Sequence, residues 1–539
     1  MAFTGHVDRF AEEHLPPPDL LPEFRFDLPH LRYPEQLNAI DRLLDARVRD
    51  GDGDRRCILA SGISWTYADF QANANRIARV LTEDFGVVPG QRVLLRAANT
   101  PMMAACWAAV LKAGAIAVTT MPLYKSTELR YISERVHVNL ALCDERLAED
   151  LKIATQSYPV PVCYFQGDAP EALEARMATK SPTFETVTTA AADVAIIGFT
   201  SGTTGTPKAA LHFHRDLLAT CDTYADFVLQ PRRDDLFCGS PPLAFTFGLG
   251  GLLLFPLHAG AATLLLEKAP PEELMRNIAE RRVTTVFTAP IAYRTMTGLW
   301  EKYDCSSLRT CVSAGETLPA AVFEGWRERT GLSILDGIGS TEMLHIFVGS
   351  PRDAVRAGYT GRAVPGYVAE IHDEGGRPVP LGEVGRLAVK GPTGCKYFDD
   401  ARQTTYVRNG WNYPGDAYRQ DADGYFQFVA RTDDIIVTAG FNVSGPEVEQ
   451  TLLTHPDVRE VAVVAKPDPA HDTFIVKAYV VLGAAADASA MKMDELRTHC
   501  MGLIASFKAP REIEFVSELP RTETGKVQRF KLRERAATE

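Results

Sequence analysis

Thr200-Ser201-Gly202-Thr203-Thr204-Gly205-Thr206-Pro207-Lys208 is the stretch on which the reading of this chain turns. Gly202 and Gly205 let the backbone turn its N–H groups toward an anion. Five hydroxyls add donors, and Lys208 sets a positive charge at the end. The run is not a Walker A loop, which needs G-x-x-x-x-G-K-[ST]. Here the glycines stand three apart, Pro207 precedes the lysine, and Ala209 follows where a magnesium-binding hydroxyl belongs. A flexible Ser/Thr/Gly connector is the plain alternative. Against it, the segment lies between an apolar strand pattern, Val194–Phe199, and the helical spacing of Leu217, Leu218, Cys221, Tyr224, Phe227 and Val228. The loop is therefore expected to hold phosphate and to join a strand to a helix.

Outward from the loop, short apolar runs alternate with amphipathic helical patterns, which is the signature of an α/β protein. One unit is a strand at Arg92–Leu95, a helix over about Pro101–Ala113 and a strand at Ala115–Thr119; another pairs Val283–Thr288 with a helix from near Ile291. From about residue 360 the texture changes to short strands broken by turns such as Asp373-Glu374-Gly375-Gly376, a β-rich, barrel-like subdomain. After Arg431-Thr432-Asp433-Asp434 the pattern restarts, with strands at Val458–Ala465 and Ile475–Leu482 and helices near Pro446–Leu453 and Met493–Ala505. The expected division is a large N-terminal domain of mixed α/β sheets, residues 1–432, and a small mobile α+β domain, residues 433–539.

The bulk numbers narrow the function. At 539 residues, 46% hydrophobic and 23% charged, the chain is globular and longer than one ordinary domain. A net charge of −12 gives no global basic field for nucleic acid. The ten cysteines show no C-x-x-C spacing and read as buried reduced thiols, which points to the cytoplasm. The longest greasy stretch, Leu249–Leu257, is broken by Gly250, Gly251 and Pro256 and is too short to span a bilayer. No nucleic-acid or membrane partner is expected.

The Thr200–Lys208 segment resembles the phosphate loop of the adenylate-forming superfamily of acyl- and aryl-CoA synthetases, adenylation domains and luciferases. Four further segments between residues 313 and 529 match that family in the expected order. The resemblance implies the adenylate-forming fold, a reaction that consumes ATP with Mg²⁺ and a transfer to coenzyme A. It also implies the following roles. Thr200, Ser201, Gly202, Thr203, Thr204, Gly205 and Lys208 cradle phosphate. In Ser313-Ala314-Gly315-Glu316 and Asp336-Gly337-Ile338-Gly339-Ser340-Thr341-Glu342, the residues Gly315, Glu316, Asp336, Gly337 and Ile338 line the adenine site. Thr341 donates to the α-phosphate and Glu342 holds the magnesium carried by ATP. Ile338 stands where the family commonly has an aromatic residue. Asp416, in Tyr413-Pro414-Gly415-Asp416, accepts from the ribose hydroxyls, and Arg431 reaches the ribose. Asp433 is the hinge between two half-reactions. Lys526, in Pro520 to Arg529, is the mobile lysine that bridges carboxylate and α-phosphate, a job that suits a compact ammonium on a flexible stem. Gly440, Phe441 and Asn442 face the coenzyme A side.

The acyl side resembles the benzoate-CoA ligase branch most closely, through Asp336 to Phe347. There Phe245 is an aromatic gate, Thr246 and Phe247 touch the acid, and Gly339 and His345 lie at the aryl pocket. His345 beside apolar residues also reads as an ordinary core histidine. Two bulky phenylalanines with Ile338 suggest a short, flat cavity for one aromatic ring, and Thr246 offers a hydroxyl to an ortho substituent such as the amine of 2-aminobenzoate. The expected partner is a small aromatic carboxylic acid, and a homodimer is left open. Two alternatives keep the adenylation step: an aryl-acid adenylation enzyme that loads a carrier protein, and a medium-chain acyl-CoA ligase.

Overall fold

The computed structural model describes residues 3–167, 169–200, 207–438, 441–468, 473–483, 486–504, 506–521 and 527–538. The strand Arg92–Arg96 is buried at every position, so both of its faces must be covered. It sits inside a six-stranded sheet in the order Val162–Phe165, Leu140–Asp144, Arg92–Arg96, Ile116–Thr120, Val194–Thr200, Lys208–Phe213. All neighbours are parallel except the last pair, which is antiparallel. The helix Pro101–Lys112 starts where Thr100 Oγ1 accepts from Met103 N at 3.1 Å and Pro101 takes the first turn, where its missing N–H is no loss.

A second sheet of nine strands runs Arg362–Ala363, Ile346–Gly349, Ile334–Gly339, Thr310–Ser313, Thr285–Thr288, Leu236–Gly239, Ala262–Leu264, Arg56–Ala60, Ile63–Thr66. Its interior is parallel and its edges antiparallel. One hydrophobic core joins the two sheets, with Val93, Leu95 and Ala117 from the first and Phe237, Phe287, Val312 and Leu335 from the second. A six-stranded antiparallel sheet follows over Val368–Arg431, the β-rich region expected from residue 360. The C-terminal part has its own core, built on Val458–Asp468, Thr473–Leu482 and Glu512–Phe515 with the helices Gly445–Leu453 and Ala490–Leu503. All ten cysteines are buried and unpaired. Among the described residues no helix is long and apolar enough to cross a membrane.

One expectation is corrected. The phosphate loop does not pass from strand to helix: it joins Val194–Thr200 to the antiparallel strand Lys208–Phe213, with Thr200 opposite Lys208, and the helix begins only at His214. Lys208-Ala-Ala-Leu-His-Phe has no alternation to mark it as a strand. Pairing along the sheet edge and burial of Ala209 to Phe213 decide its conformation instead.

His214 and His345 are wholly buried, and burial pulls each imidazole down to about 3. A base kept neutral in the fold and free to take a proton in the unfolded chain destabilises the fold as pH falls below its ordinary value of 6.5. The protection is complete above pH 6.5 and is lost progressively down to about 3. Lowering pH from 7.5 to 5 is expected to remove about 2 kcal/mol of stability per such histidine. Denaturant titrations at the two pH values check this, and His214→Gln should flatten the dependence.

Candidate active site

The residues singled out above follow the carboxyl ends of strands from both large sheets, where open α/β sheets place ligands. Thr200 ends Val194–Thr200, the turn to Phe245 follows Leu236–Gly239, Gly315 and Glu316 follow Thr310–Ser313, and Ser340 to His345 follow Ile334–Gly339. Gly198 is the point where they meet. A Cβ on this glycine would lie 3.0 Å from Thr341 Cγ2 and 3.9 Å from Thr246 Cγ2. Two threonines expected to serve different halves of the chemistry, phosphate and acid, therefore pack on one spot, two residues before the phosphate loop opens.

Around Thr341 and Glu342 the polar groups form a connected set. The Thr341 carbonyl accepts from His212 Nε2–H at 2.7 Å. Glu342 is buried, and its Oε1 accepts from the Tyr397 hydroxyl at 2.5 Å. Lys208 Nζ donates to the same hydroxyl at 3.1 Å. Behind them Tyr406 and Ser340 share a hydrogen bond of 3.0 Å between their hydroxyls.

On the nucleotide side, Gly315 adopts φ +89°, a conformation glycine takes without strain, just past the buried Ser313. Glu316 is exposed. Burial pushes the Asp336 carboxyl up to about 8. Among the described residues Asp336 Oδ1, Ser313 Oγ and Thr200 Oγ1 are buried without a hydrogen-bond partner, and such groups are costly unless satisfied. Gly337 is required because a Cβ would lie 2.6 Å from Ile346 Cγ2. Ile338 is half-buried against the main core. Asp416 and Arg431 face each other across paired strands, with Arg431 Nη1 donating to Asp416 Oδ1 at 2.8 Å and to the Pro414 carbonyl at 3.1 Å. Burial raises the Asp416 carboxyl and the guanidinium opposes it.

On the acid side, His345 is enclosed by rings, with centroids 4.6 Å away at Phe255, 5.3 Å at Tyr224 and 5.8 Å at Phe247, and Phe287 lies 5.5 Å beyond Phe247. Leu344, the residue before His345, takes φ +71°, a costly conformation for a bulky side chain. Among the described residues neither ring nitrogen of His345 meets the geometry of a full hydrogen bond, the Phe247 backbone being its nearest polar neighbour. Three glycines let the walls close in: a Cβ at Gly250 would lie 2.3 Å from His345 Cδ2, at Gly251 2.5 Å from Phe287 Cδ1, and at Gly339 2.7 Å from the His345 carbonyl oxygen. Phe245 caps the short helix Thr246–Leu249 and its N–H bonds to the Pro242 carbonyl at 3.0 Å. The loop before it is pinned from both sides by Asn99, which donates to the Pro241 carbonyl at 3.0 Å and accepts from Leu243 N at 2.7 Å.

The structure thus brings together Lys208, Thr341 and Glu342, sets Asp416 against Arg431, and gathers Thr246, Phe247, Gly339 and His345. Ser201, Gly202, Thr203, Thr204, Gly205, Gly440 and Lys526 lie outside the described residues. For Asp433, Phe441 and Asn442 the backbone alone is described, in the turn Thr432–Asp434 and the strand Phe441–Ser444. Sequence reasoning passed over Tyr397 and Asn99, and took Tyr224 only as one face of a helix. The sequence around each, Ala98-Asn99-Thr100 and Lys396-Tyr397-Phe398, carries no pattern that marks it.

The "AMP-binding enzyme" family model matches residues 45–397, and the "AMP-binding enzyme C-terminal domain" model matches residues 447–526. A benzoate–CoA ligase of Thauera aromatica is 33% identical over 519 residues, covering 94% of this chain and 97% of that protein. The crystal structure of the anthranilate CoA ligase AuaEII in complex with anthranoyl-AMP superposes with a TM-score of 0.85 at 32% identity, over 94% of this chain and 98% of that one. A benzoate CoA ligase from Burkholderia xenovorans LB400 gives 0.82 at 31%, over 92% and 100%. The chain belongs to the AMP-binding enzyme family, in the benzoate- and aminobenzoate-CoA ligase branch of the adenylate-forming superfamily.

The contact of Gly250 with His345 yields a direct test. Gly250→Ala is expected to destabilise the protein by about 1–3 kcal/mol, the usual cost of an overpacked core. In Gly250→Ala/His345→Ala the loss should fall short of the sum of the single losses, because the second change vacates the space the methyl needs. Thermal melts of the four proteins check it; additive losses would show that the two residues do not press on each other.

Proposed function

We propose that the chain is an ATP-dependent aryl-carboxylate–CoA ligase, forming an aryl-adenylate with release of pyrophosphate and then the aryl-CoA thioester with release of AMP. The observation that carries this reading is the approach of Thr246 and Thr341 to Gly198, which supports an acid pocket lying beside an α-phosphate site. A carboxylate seated against Thr246 then needs only a short path to a phosphate held at Thr341.

The residues divide the work as follows. The loop from Thr200 to Lys208 holds the β- and γ-phosphates through backbone N–H groups and hydroxyls. The adenine amino group answers the orphaned Asp336 Oδ1, and Asp416 takes the ribose hydroxyls, with Arg431 holding it in place. Thr341 donates to the α-phosphate, and Lys208 and Lys526 place positive charge where two anions must meet. A buried carboxylate beside a phosphate site fits a magnesium ion carried by ATP. Glu342 would hold that ion, which when bound screens the phosphate oxygens. After adenylation the part from Asp433 onward, residues 433–539 against residues 1–432, turns about the Thr432–Asp434 segment and brings Gly440, Phe441 and Asn442 to the coenzyme A side. Ten buried, unpaired thiols support a reducing compartment such as the cytoplasm.

The substrate class follows from the walls. Phe247, Phe255 and Tyr224 surround His345, with Phe287 against Phe247 and Gly250 close on the imidazole, an aromatic lining that suits one flat ring better than an alkyl chain. His345, held neutral by burial, offers a polar point at that ring, and Thr246 offers another near the carboxylate. Benzoate and 2-aminobenzoate both fit this description, in line with the benzoate and anthranilate ligases among the relatives. Gly440 to Asn442 suit a pantetheine arm whether it belongs to coenzyme A or to a carrier protein, and the acceptor is read as coenzyme A from those same relatives.

The test is AMP formation from ATP and Mg²⁺ with benzoate, aminobenzoates, hydroxybenzoates, hexanoate and decanoate, with and without coenzyme A. Turnover confined to the benzoates and dependent on coenzyme A is expected; fatty-acid turnover, or dependence on a carrier protein, would overturn the reading of the pocket or of the acceptor. Lys526→Ala should lower adenylation by at least about a hundredfold, as removal of a charge placed at the transition state does. Thr246→Ala should reduce kcat/KM for 2-aminobenzoate more than for benzoate, and equal losses would remove Thr246 from ortho recognition.

A further inference from the structure

Tyr397 belongs to no strand of the large sheets, yet it reaches the middle of the site. The segment around it docks on the open edge of Lys208–Phe213: Leu211 N donates to the Lys396 carbonyl at 2.8 Å, Phe398 N to the Ala209 carbonyl at 2.9 Å, and Ala210 pairs with Tyr397 as an isolated antiparallel bridge. The strand that begins with Lys208 is thus extended sideways by the segment that carries the phenol. Gln403 fixes the backbone there, its Oε1 accepting from Tyr397 N at 2.9 Å. The ring is buried and packs edge-on against Tyr406 at 5.8 Å, within a small cluster that includes Ala210 and Cys395. Below it, Lys396 forms a wholly buried ion pair with Asp216 at 2.8 Å, so the backbone on either side of the phenol is anchored independently of the site.

The hydroxyl at the end of this side chain has one proton and two oxygen lone pairs. Its proton points to Glu342 Oε1 at 2.5 Å, and its oxygen receives Lys208 Nζ at 3.1 Å. Burial and the neighbouring carboxylate hold the phenol in its protonated form. A neutral hydroxyl therefore stands between a cation and an anion expected to act on the same triphosphate. It keeps them from closing into a direct ion pair, which would use up both charges before the nucleotide arrives. A carboxylate that already accepts one hydrogen bond is also held in orientation, with its other oxygen left for a cation.

We propose that Tyr397 is a positioning residue for the adenylation half-reaction: its hydroxyl orients the Glu342 carboxylate toward the metal carried by ATP and holds Lys208 apart from it. The proposal rests on the assignment of Glu342 and Lys208 made above. Hydrogen-bonding partners of metal-binding carboxylates are worth about ten- to a hundredfold in metal affinity or activity. Tyr397→Phe keeps the ring and its packing and removes only the bridge.

The experiment measures Mn²⁺ binding by electron paramagnetic resonance in the presence of ATP and the absence of acid, so that no turnover takes place. It compares the full chain with Tyr397→Phe, Glu342→Gln and the double variant. Weakening of Mn²⁺ by about tenfold or more is expected in each single variant, with no further loss when they are combined, because both remove the same arrangement. Alongside, adenylation should slow in Tyr397→Phe while transfer from a supplied aryl-adenylate to coenzyme A keeps its rate, a split that a general loss of structure would not give. If Glu342→Gln weakens Mn²⁺ and Tyr397→Phe does not, or if the two losses add, the role of Tyr397 is overturned. If Glu342→Gln has no effect, the assignment of Glu342 itself fails, and the proposal with it. Should Tyr397→Phe not fold, 3-fluorotyrosine at 397 tests the same bond without changing the shape. The more acidic phenol grips Glu342 harder and should shift Mn²⁺ affinity measurably, and an unchanged affinity would count against the bridge.

Discussion

Two anions have to be brought within bonding distance, and most of what is particular about this site answers that constraint. A carboxylate and a triphosphate repel each other, and in a partly desolvated cleft the repulsion is larger than in water. The protein holds charge of both signs ready in the fold, Lys208 at the start of the strand Lys208–Phe213 and the buried carboxylate of Glu342. Fixed charges are of use only if they do not first neutralise each other, and here the Tyr397 hydroxyl stands between Lys208 and Glu342.

The same constraint explains why glycine stands at the junction. Gly198 lies against Thr341, and a Cβ there would stand 3.0 Å from the Thr341 Cγ2 and 3.9 Å from the Thr246 Cγ2. Among the surrounding rings, Gly250 brings backbone against the His345 imidazole and Gly251 against the Phe287 ring, while Gly339 packs on the His345 main chain. Leu344, at the strained φ of +71°, immediately precedes the buried His345. The cost of that strain and of an unsatisfied imidazole is offset elsewhere, by a core that runs unbroken between the two large sheets.

Much of this was legible in the residues before any coordinates. The unit from Arg92 to Thr119 was visible because Thr100-Pro101 marks a helix start and the flanking runs are apolar throughout. Asp416 and Arg431 were recognised through resemblance, and the structure places them face to face. The strand Lys208–Phe213 was not legible, since two alanines and a leucine carry no strand pattern and only pairing with Val194–Thr200 decides it. Tyr397 and Asn99 were not legible either. Each acts on a segment far away in the chain, Asn99 on residues 241 and 243 and Tyr397 on residues 208 and 342. Local patterning holds no record of such contacts.

The central claim is that the carboxylate oxygen of an aromatic acid attacks the α-phosphate of ATP in this site, and isotope transfer tests it most directly. Benzoate labelled with ¹⁸O in its carboxylate, turned over with ATP and coenzyme A, should yield AMP carrying one ¹⁸O atom, because the thiol later attacks carbon and leaves that oxygen on phosphorus. AMP without the label, or label found in inorganic phosphate, would contradict the account.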